Sequence, residues 1–310
     1  RMPQPRFGLA LGGGGARGFA HVGVLQRLEE SGIRPDFITG TSMGALVAAT
    51  YVKTGSAAAT LEELNALVES DAFQKLGMHL INVTGRGGES FWPQVSSAIQ
   101  DRIIINLAHY KAGLVREDRI SDAMEIVITE DKWIDEGMAL GIVATDLHNG
   151  EDVYFTQGSL LSAVMASIAI PGFLPPVQYE GRTLVDGGVS QQVPIRLAKE
   201  MGADFVLAVD VGQDVEPLSE MDNAMAIMSQ SENIRSCHYR DMLNKESDVL
   251  LLPEMPGVHW SAYEQRETFI DLGRQAFDRQ RTFFEQAWYR AKHPLGGWLK
   301  SFFENSTGNE

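Results

Sequence analysis

Asp36-Phe37-Ile38-Thr39-Gly40-Thr41-Ser42-Met43-Gly44 carries a short apolar run into a turn of small residues. Asp36 to Thr39 reads as a buried strand, and the small-residue stretch from about Ala45 to Lys53 reads as a helix. Between them Gly40 and Gly44 flank a serine in the pattern G-x-S-x-G. Glycines suit those places because the chain must swing sharply from strand into helix without Cβ clashes. The swing lifts the Ser42 hydroxyl out of the sheet and sets it at a helix N-terminus, whose dipole and free N–H groups favour developing negative charge. Taken alone, the same residues also fit a serine N-cap in an ordinary tight turn.

Working outward, the same rhythm precedes the motif. Phe7 to Leu11 is apolar and runs into Gly12, Gly13, Gly14 and Gly15. From Gly18 to Ser31 the pattern is helical, with Phe19, Val22, Leu25 and Leu28 near one face and Gly32 placed to stop it. Strand, glycine turn and helix, twice over, predict a parallel sheet covered on its faces. Further strands are expected over 139–144, 181–185, 204–211 and 248–252, with a helix over 193–201. Phe269, Leu272, Ala276 and Phe283 suggest a core-facing helix. Residues from about 76 to 114 break the rhythm and are read as a cap over one end of the sheet. The expected organisation is one α/β hydrolase domain over 7–290, with that cap inserted, and a tail over 291–310.

Composition narrows the functional classes. The chain has 310 residues, 44% hydrophobic and 22% charged, which suits a globular protein with a substantial core. A net charge of −15 argues against nucleic acid, whose phosphates are held by Lys and Arg, and against loose attachment to an anionic bilayer. Cys237 is the only cysteine, so no intrachain disulfide is available and a reducing compartment is the simpler reading. No apolar run reaches the roughly 20 residues of a membrane span. The first residues carry a charge but nothing like the apolar stretch of a signal peptide. The chain does not begin with Met, which leaves room for a trimmed precursor. A cytoplasmic protein is expected, in peripheral contact with a membrane at most. The absence of an Asp/Asn-rich loop suggests neither calcium nor any other metal, and no cofactor is expected.

Two further segments bear on chemistry. In Gly13-Gly14-Gly15-Ala16-Arg17-Gly18, consecutive glycines leave backbone N–H groups unshielded, so they can converge on one anion where a helix begins. In an acyl hydrolase that anion is the oxygen of the tetrahedral intermediate. Arg17 could brace the loop, meet a phosphate or face solvent. The stretch also matches G-x-G-x-x-G, but where a dinucleotide site expects a ribose-binding carboxylate the chain has Thr39, Gly40, Thr41 and Ser42. A serine nucleophile needs a base. Of the seven histidines, His238, His259 and His293 come late enough for a triad, yet none follows a strand-end glycine turn. Thr183-Leu184-Val185-Asp186-Gly187-Gly188 is different: a strand ends in a carboxylate at the sheet edge, aimed where it could take the proton of Ser42. By spacing alone, Asp186-Gly187 serves equally as a turn.

Together these motifs resemble the patatin-like phospholipase family, in particular its bacterial single-domain members and the catalytic domain of neuropathy target esterase. The matching residues are Gly13 to Gly18, Gly40 to Gly44 and Asp186-Gly187-Gly188. Ala169-Ile170-Pro171-Gly172 with Pro175 and Pro176, and Lys111-Ala112-Gly113-Leu114, are similar to family segments as well. The resemblance implies a three-layer α/β/α fold with a mostly parallel central sheet and a cap insertion, and a Ser–Asp dyad, with Ser42 as nucleophile and Asp186 as base. It also implies an oxyanion hole at Gly13, Gly14 and Gly15, above all the latter two. Arg17, Gly18, Gly40, Gly44, Gly187 and Gly188 would support the site.

The implied substrates are acyl esters of phospholipids, lysophospholipids or neutral lipids, hydrolysed without a metal. Phe91-Trp92 and the stretch Trp298, Leu299, Phe302 and Phe303 offer apolar approach surfaces. The last of these would equally pack on its own domain or on a second subunit, leaving room for a homo-oligomer. Two rival readings remain: a catalytically silent lipid-binding or regulatory protein of the same fold, and a dinucleotide-binding protein.

Overall fold

A computed structural model of the chain describes residues 4–77, 115–212, 214–215, 224–255 and 257–293. Most of the expected cap, including Phe91-Trp92 and Lys111 to Leu114, lies outside these residues. So does nearly all of the expected tail, including Trp298 to Phe303.

Among the described residues the chain forms an eight-stranded sheet in the order β5-β6-β3-β2-β1-β7-β8, with β4 pairing β3 off this path. The strands are β1 (Phe7–Leu11), β2 (Phe37–Thr41), β3 (Ala139–Asp146), β4 (Asp152–Phe155), β5 (Val177–Tyr179), β6 (Arg182–Asp186), β7 (Phe205–Val209) and β8 (Val249–Leu251). β3, β2, β1, β7 and β8 are parallel to one another. β4 and β6 run antiparallel to β3, and β5 antiparallel to β6. The sheet is mostly parallel, as expected: its centre is parallel, and at one side the strand bearing Asp186 is reversed.

Helices cover both faces, giving three layers. Leu9, Leu11, Ile38, Leu207 and Val209 point to the thicker side and join the main core. There α1 (Ala20–Glu30), α2 (Met43–Thr54) and α3 (Ala57–Glu69) pack with the long α9 (Arg266–Lys292). Ala10, Val206 and Ala208 point the other way, to a small cluster with Val193, Ile195 and Ala198. That side carries the short helix α7 (Ile195–Glu200). The remaining helices are α4 (Asp71–Gln74), α5 (Glu117–Met124), α6 (Leu160–Ser167) and α8 (Ala224–Asn244).

The core face of α9 departs from its expected register. Phe269 and Ala276 are buried and Leu272 is half-buried, but Phe283 is exposed and its neighbour Phe284 takes the core position. Steps of three and four residues from Phe269 lead through Gly273, Ala276 and Phe277 towards Phe284, so Phe283 falls off the stripe. Among the described residues no helix is long and apolar enough to cross a membrane.

Candidate active site

Ser42 occupies the N-cap position of α2 with φ 55° and ψ −124°, and its side chain makes no capping hydrogen bond. A non-glycine residue at such a positive φ costs about 1–3 kcal/mol and persists only where the surroundings impose it. The imposition is visible in the backbone. A Cβ on Gly40 would stand 2.4 Å from Ala45 Cα, and one on Gly44 would stand 2.2 Å from Leu11 O. The turn is thus pressed between α2 and the end of β1, as the two glycines of the motif require. The N-cap reading is set aside, because the hydroxyl is left free of capping duty. The Ser42 N–H is itself engaged, donating to Ser167 Oγ at 2.9 Å.

Asp186 reaches Ser42 through the ladder register. Thr41 pairs with Val143 in the parallel β2–β3 ladder, and Ala144, the next residue along, pairs with Asp186 in the antiparallel β3–β6 ladder. Ser42 and Asp186 therefore end in one row, with β3 between them. The Asp186 carboxyl is fully buried. One oxygen, Oδ1, accepts the Gly188 N–H at 2.8 Å. Burial pushes the carboxyl up to about 7, against hydrogen bonding from the Ser42 side chain and the Gly188 N–H, both of which pull it down. Its own N–H donates to Ala169 O at 2.9 Å, which gives the Ala169–Gly172 segment its place in the site.

The glycine loop after β1 is held at almost every peptide group. Gly12 N–H donates to Val209 O at 2.9 Å, Gly13 N–H to Gln192 O at 3.0 Å and Ala16 N–H to Trp260 O at 2.7 Å. Because its N–H is spent on Gln192, Gly13 drops out of the expected oxyanion donors. Its contribution is closeness, since a Cβ there would stand 3.0 Å from Ser42 Cβ. The N–H groups of Gly14 and Gly15 carry no hydrogen bond among the described residues. Gly15 has φ +58° and packs so closely that a Cβ would stand 2.4 Å from Trp260 O. Of the other supporting glycines, Gly18 packs on Met43 and Gly187 on Val143 O.

Arg17 is fully buried and braces the loop by donating to Val258 O, 3.1 Å from Nε. Neither a solvent-facing nor a phosphate-binding role suits that position. His21, which the motifs did not single out, is also fully buried, with Nε2 donating to Gly12 O at 2.7 Å. Burial lowers its pKa to about 4, so it is neutral and a donor to that carbonyl. The only hint in the sequence is a polar side chain in the otherwise apolar first turn of its helix. His238 and His293 are exposed, while His259 is buried against Ser261.

Ser42 opens onto a narrow apolar cavity lined by Met43 and Leu46 from α2, Leu64 and Val68 from α3, and Trp260 and Tyr263 from the segment before α9. Leu76, the start of the expected cap, lines it too. An uncharged, unbranched chain would be desolvated there with no polar group to offset.

The patatin-like phospholipase family model matches residues 9–199. An uncharacterized NTE family protein of Mycobacterium tuberculosis is 34% identical over 215 residues, 69% of this chain and 51% of that protein. The lysophospholipase NTE1 of Mycosarcoma maydis is 28% identical over 96% of this chain and 15% of its own length. The chain thus spans about half the length of the mycobacterial relative and far less of the fungal one. Among solved structures, human GIVD cytosolic phospholipase A2 in complex with methyl γ-linolenyl fluorophosphonate has a TM-score of 0.45 and 10% identity, covering 93% of this chain and 59% of that one. On the family match, which takes in the glycine loop, Ser42 and Asp186 alike, the chain belongs to the patatin-like phospholipase family.

Proposed function

We propose that the chain is a serine acyl hydrolase of lipid esters, with Ser42 as nucleophile, Asp186 as its only base and the N–H groups of Gly14 and Gly15 as the oxyanion hole. One observation carries the reading: an uncapped, strained serine shares its row of the sheet with a buried carboxyl whose pKa burial raises to about 7. A carboxyl raised that far is a stronger base when ionised and a usable acid once protonated.

The ionised carboxylate takes the Ser42 proton as Oγ attacks the ester carbonyl. The carbonyl oxygen becomes the oxyanion and accepts from Gly14 and Gly15, each such donor being worth about 3 kcal/mol or more. Protonated Asp186 then returns its proton to the leaving alkoxide, which departs as the alcohol. Asp186 next takes a proton from water, whose oxygen attacks the acyl-serine. Collapse expels Ser42 Oγ, which recovers that proton, and frees the carboxylic acid. The acyl chain lies in the apolar cavity beside Ser42. Lysophospholipids and phospholipids are the substrate class, in keeping with the lysophospholipase name of the fungal relative. Approach to a lipid surface would be peripheral.

The test is intact mass and peptide mapping after treatment with a long-chain fluorophosphonate, on wild type and on Asp186→Asn. One adduct on Ser42, much slower in the variant, is the expected result. No adduct on the folded protein would turn the reading to lipid binding without catalysis.

A further inference from the structure

Gln192 stands between the two halves of the site. The segment after β6 crosses from Asp186 towards β1, pinned on its way by Thr41, which donates to Gln191 O at 3.0 Å, and by Thr39, which donates to Pro194 O at 2.9 Å. Gln191 N–H also turns back to Gly187 O at 2.7 Å, closing the turn that starts at Asp186. The segment thereby delivers Gln192 to the glycine loop, where it grips one residue twice. Its backbone carbonyl accepts the Gly13 N–H at 3.0 Å, and its side-chain Nε2 donates to Gly13 O. The partner is a carbonyl, so the orientation of the amide is fixed by the bond itself.

Both contacts fall on Gly13, where a Cβ would stand 3.0 Å from Ser42 Cβ and which directly precedes the free N–H groups of Gly14 and Gly15. We infer that Gln192 is a positioning residue, which sets the oxyanion donors at a fixed distance from the base by tying the Asp186 segment to the glycine loop. This rests on the dyad reading above. The backbone half of the grip survives any substitution. The side-chain half holds the plane of the Gly13–Gly14 peptide, whose N–H is one of the two donors. Turning that plane misaims a donor at the oxyanion and leaves the acyl pocket untouched, so turnover should change and substrate affinity should not.

The experiment compares wild type, Gln192→Met and Gln192→Glu on a short soluble ester, with active sites counted by fluorophosphonate adduct and folding followed by thermal unfolding. Neither replacement can donate to Gly13 O. Gln192→Met keeps the length and apolar stem, and Gln192→Glu stands in should the methionine variant not fold. The expected result is kcat per labelled site lower by about 10- to 100-fold, KM within about twofold, and labelling slowed in parallel. A side chain that merely stabilises the loop would lower the melting midpoint and the number of labelled sites while leaving kcat per site unchanged, and that outcome overturns the inference. Ser42→Ala and Asp186→Asn run alongside. If they keep wild-type turnover the dyad reading fails, whereas if they lose it and Gln192→Met does not, the positioning role alone fails.

Discussion

Ser42 and Asp186 arrive in the same row of the sheet from opposite directions, one at the end of a parallel strand and the other at the end of a reversed one. Among the described residues no histidine hydrogen-bonds to either, so removing one carboxyl should remove base catalysis. Asp186→Asn is expected to lower kcat on a lipid ester by about 10²- to 10⁴-fold, the usual worth of a positioned base. Ser42→Ala should fall at least as far. Replacing His259, whose Nδ1 is bound to Ser261, should leave more than a tenth of the activity. Steady-state turnover of the purified variants decides the matter, and an active Asp186→Asn enzyme would exclude the dyad.

Burial of Asp186 has a kinetic and a thermodynamic reading. With its pKa pushed up to about 7, kcat/KM for an uncharged ester should fall about tenfold per pH unit below 7. A flat profile down to pH 5 would rule out Asp186 as the base. In the unfolded chain the same carboxyl titrates near its ordinary 3.8, so between there and 7 the folded state binds more protons. This group therefore draws stability down as pH rises through that window. Asp186→Asn keeps an acceptor for the Gly188 N–H and carries no charge. Its melting midpoint should exceed that of wild type at pH 8, with the gap closing towards pH 4.

His21 works in the other direction. Buried and neutral, it has its pKa lowered to about 4, against 6.5 in the open chain. Between these values the unfolded state holds more protons, so the stability His21 contributes is complete above 6.5 and is lost as pH falls towards 4. His259 is lowered to about 4 by burial and by the Arg17 guanidinium nearby, and adds a second slope of the same sign. In His21→Gln, whose amide can still donate to Gly12 O, the dependence of unfolding free energy on pH between 4.5 and 6 should be smaller by close to one proton. Denaturant titrations across that range measure it.

The cavity beside Ser42 sets a limit on acyl chains. Val68→Phe adds bulk to its α3 wall without adding charge. The variant should cut kcat/KM for long acyl esters by about tenfold or more while changing short ones by less than about threefold, as one or two methylenes are worth 1–3 kcal/mol each. Equal losses at every chain length would mean that the acyl group lies elsewhere.

The sequence exposed those parts of the fold in which local chemistry dictates local shape. The glycines around Ser42 and after β1 are forced by close approach, and a close approach leaves a mark on residue type. The central strands are largely apolar because helices cover both their faces. The hairpin of β5 and β6 left a weaker mark, since β5 has three residues and turns Gln178 to solvent. Nothing local records that β6 runs against β3. α8 was illegible for another reason: it buries Gln230, Asn233, Arg240 and Asn244 and exposes Ile227, Met228 and Met242, the reverse of the usual amphipathic pattern. Arg17 leaves three roles open, and His21 suggests none, until the carbonyls they serve are seen, and those belong to Val258 and to Gly12.

The bond from Arg17 to Val258 joins residues 241 positions apart. The glycine loop leaves the ribosome well ahead of the wall that fixes it, Val258 to Trp260. At the usual pace of about 5–20 residues per second, a growing chain carries Ser42 and Asp186 together for roughly 4–14 seconds before that wall arrives. On the proposed dyad, competence is therefore timed by synthesis, and the nascent chain stays unarmed until that wall arrives.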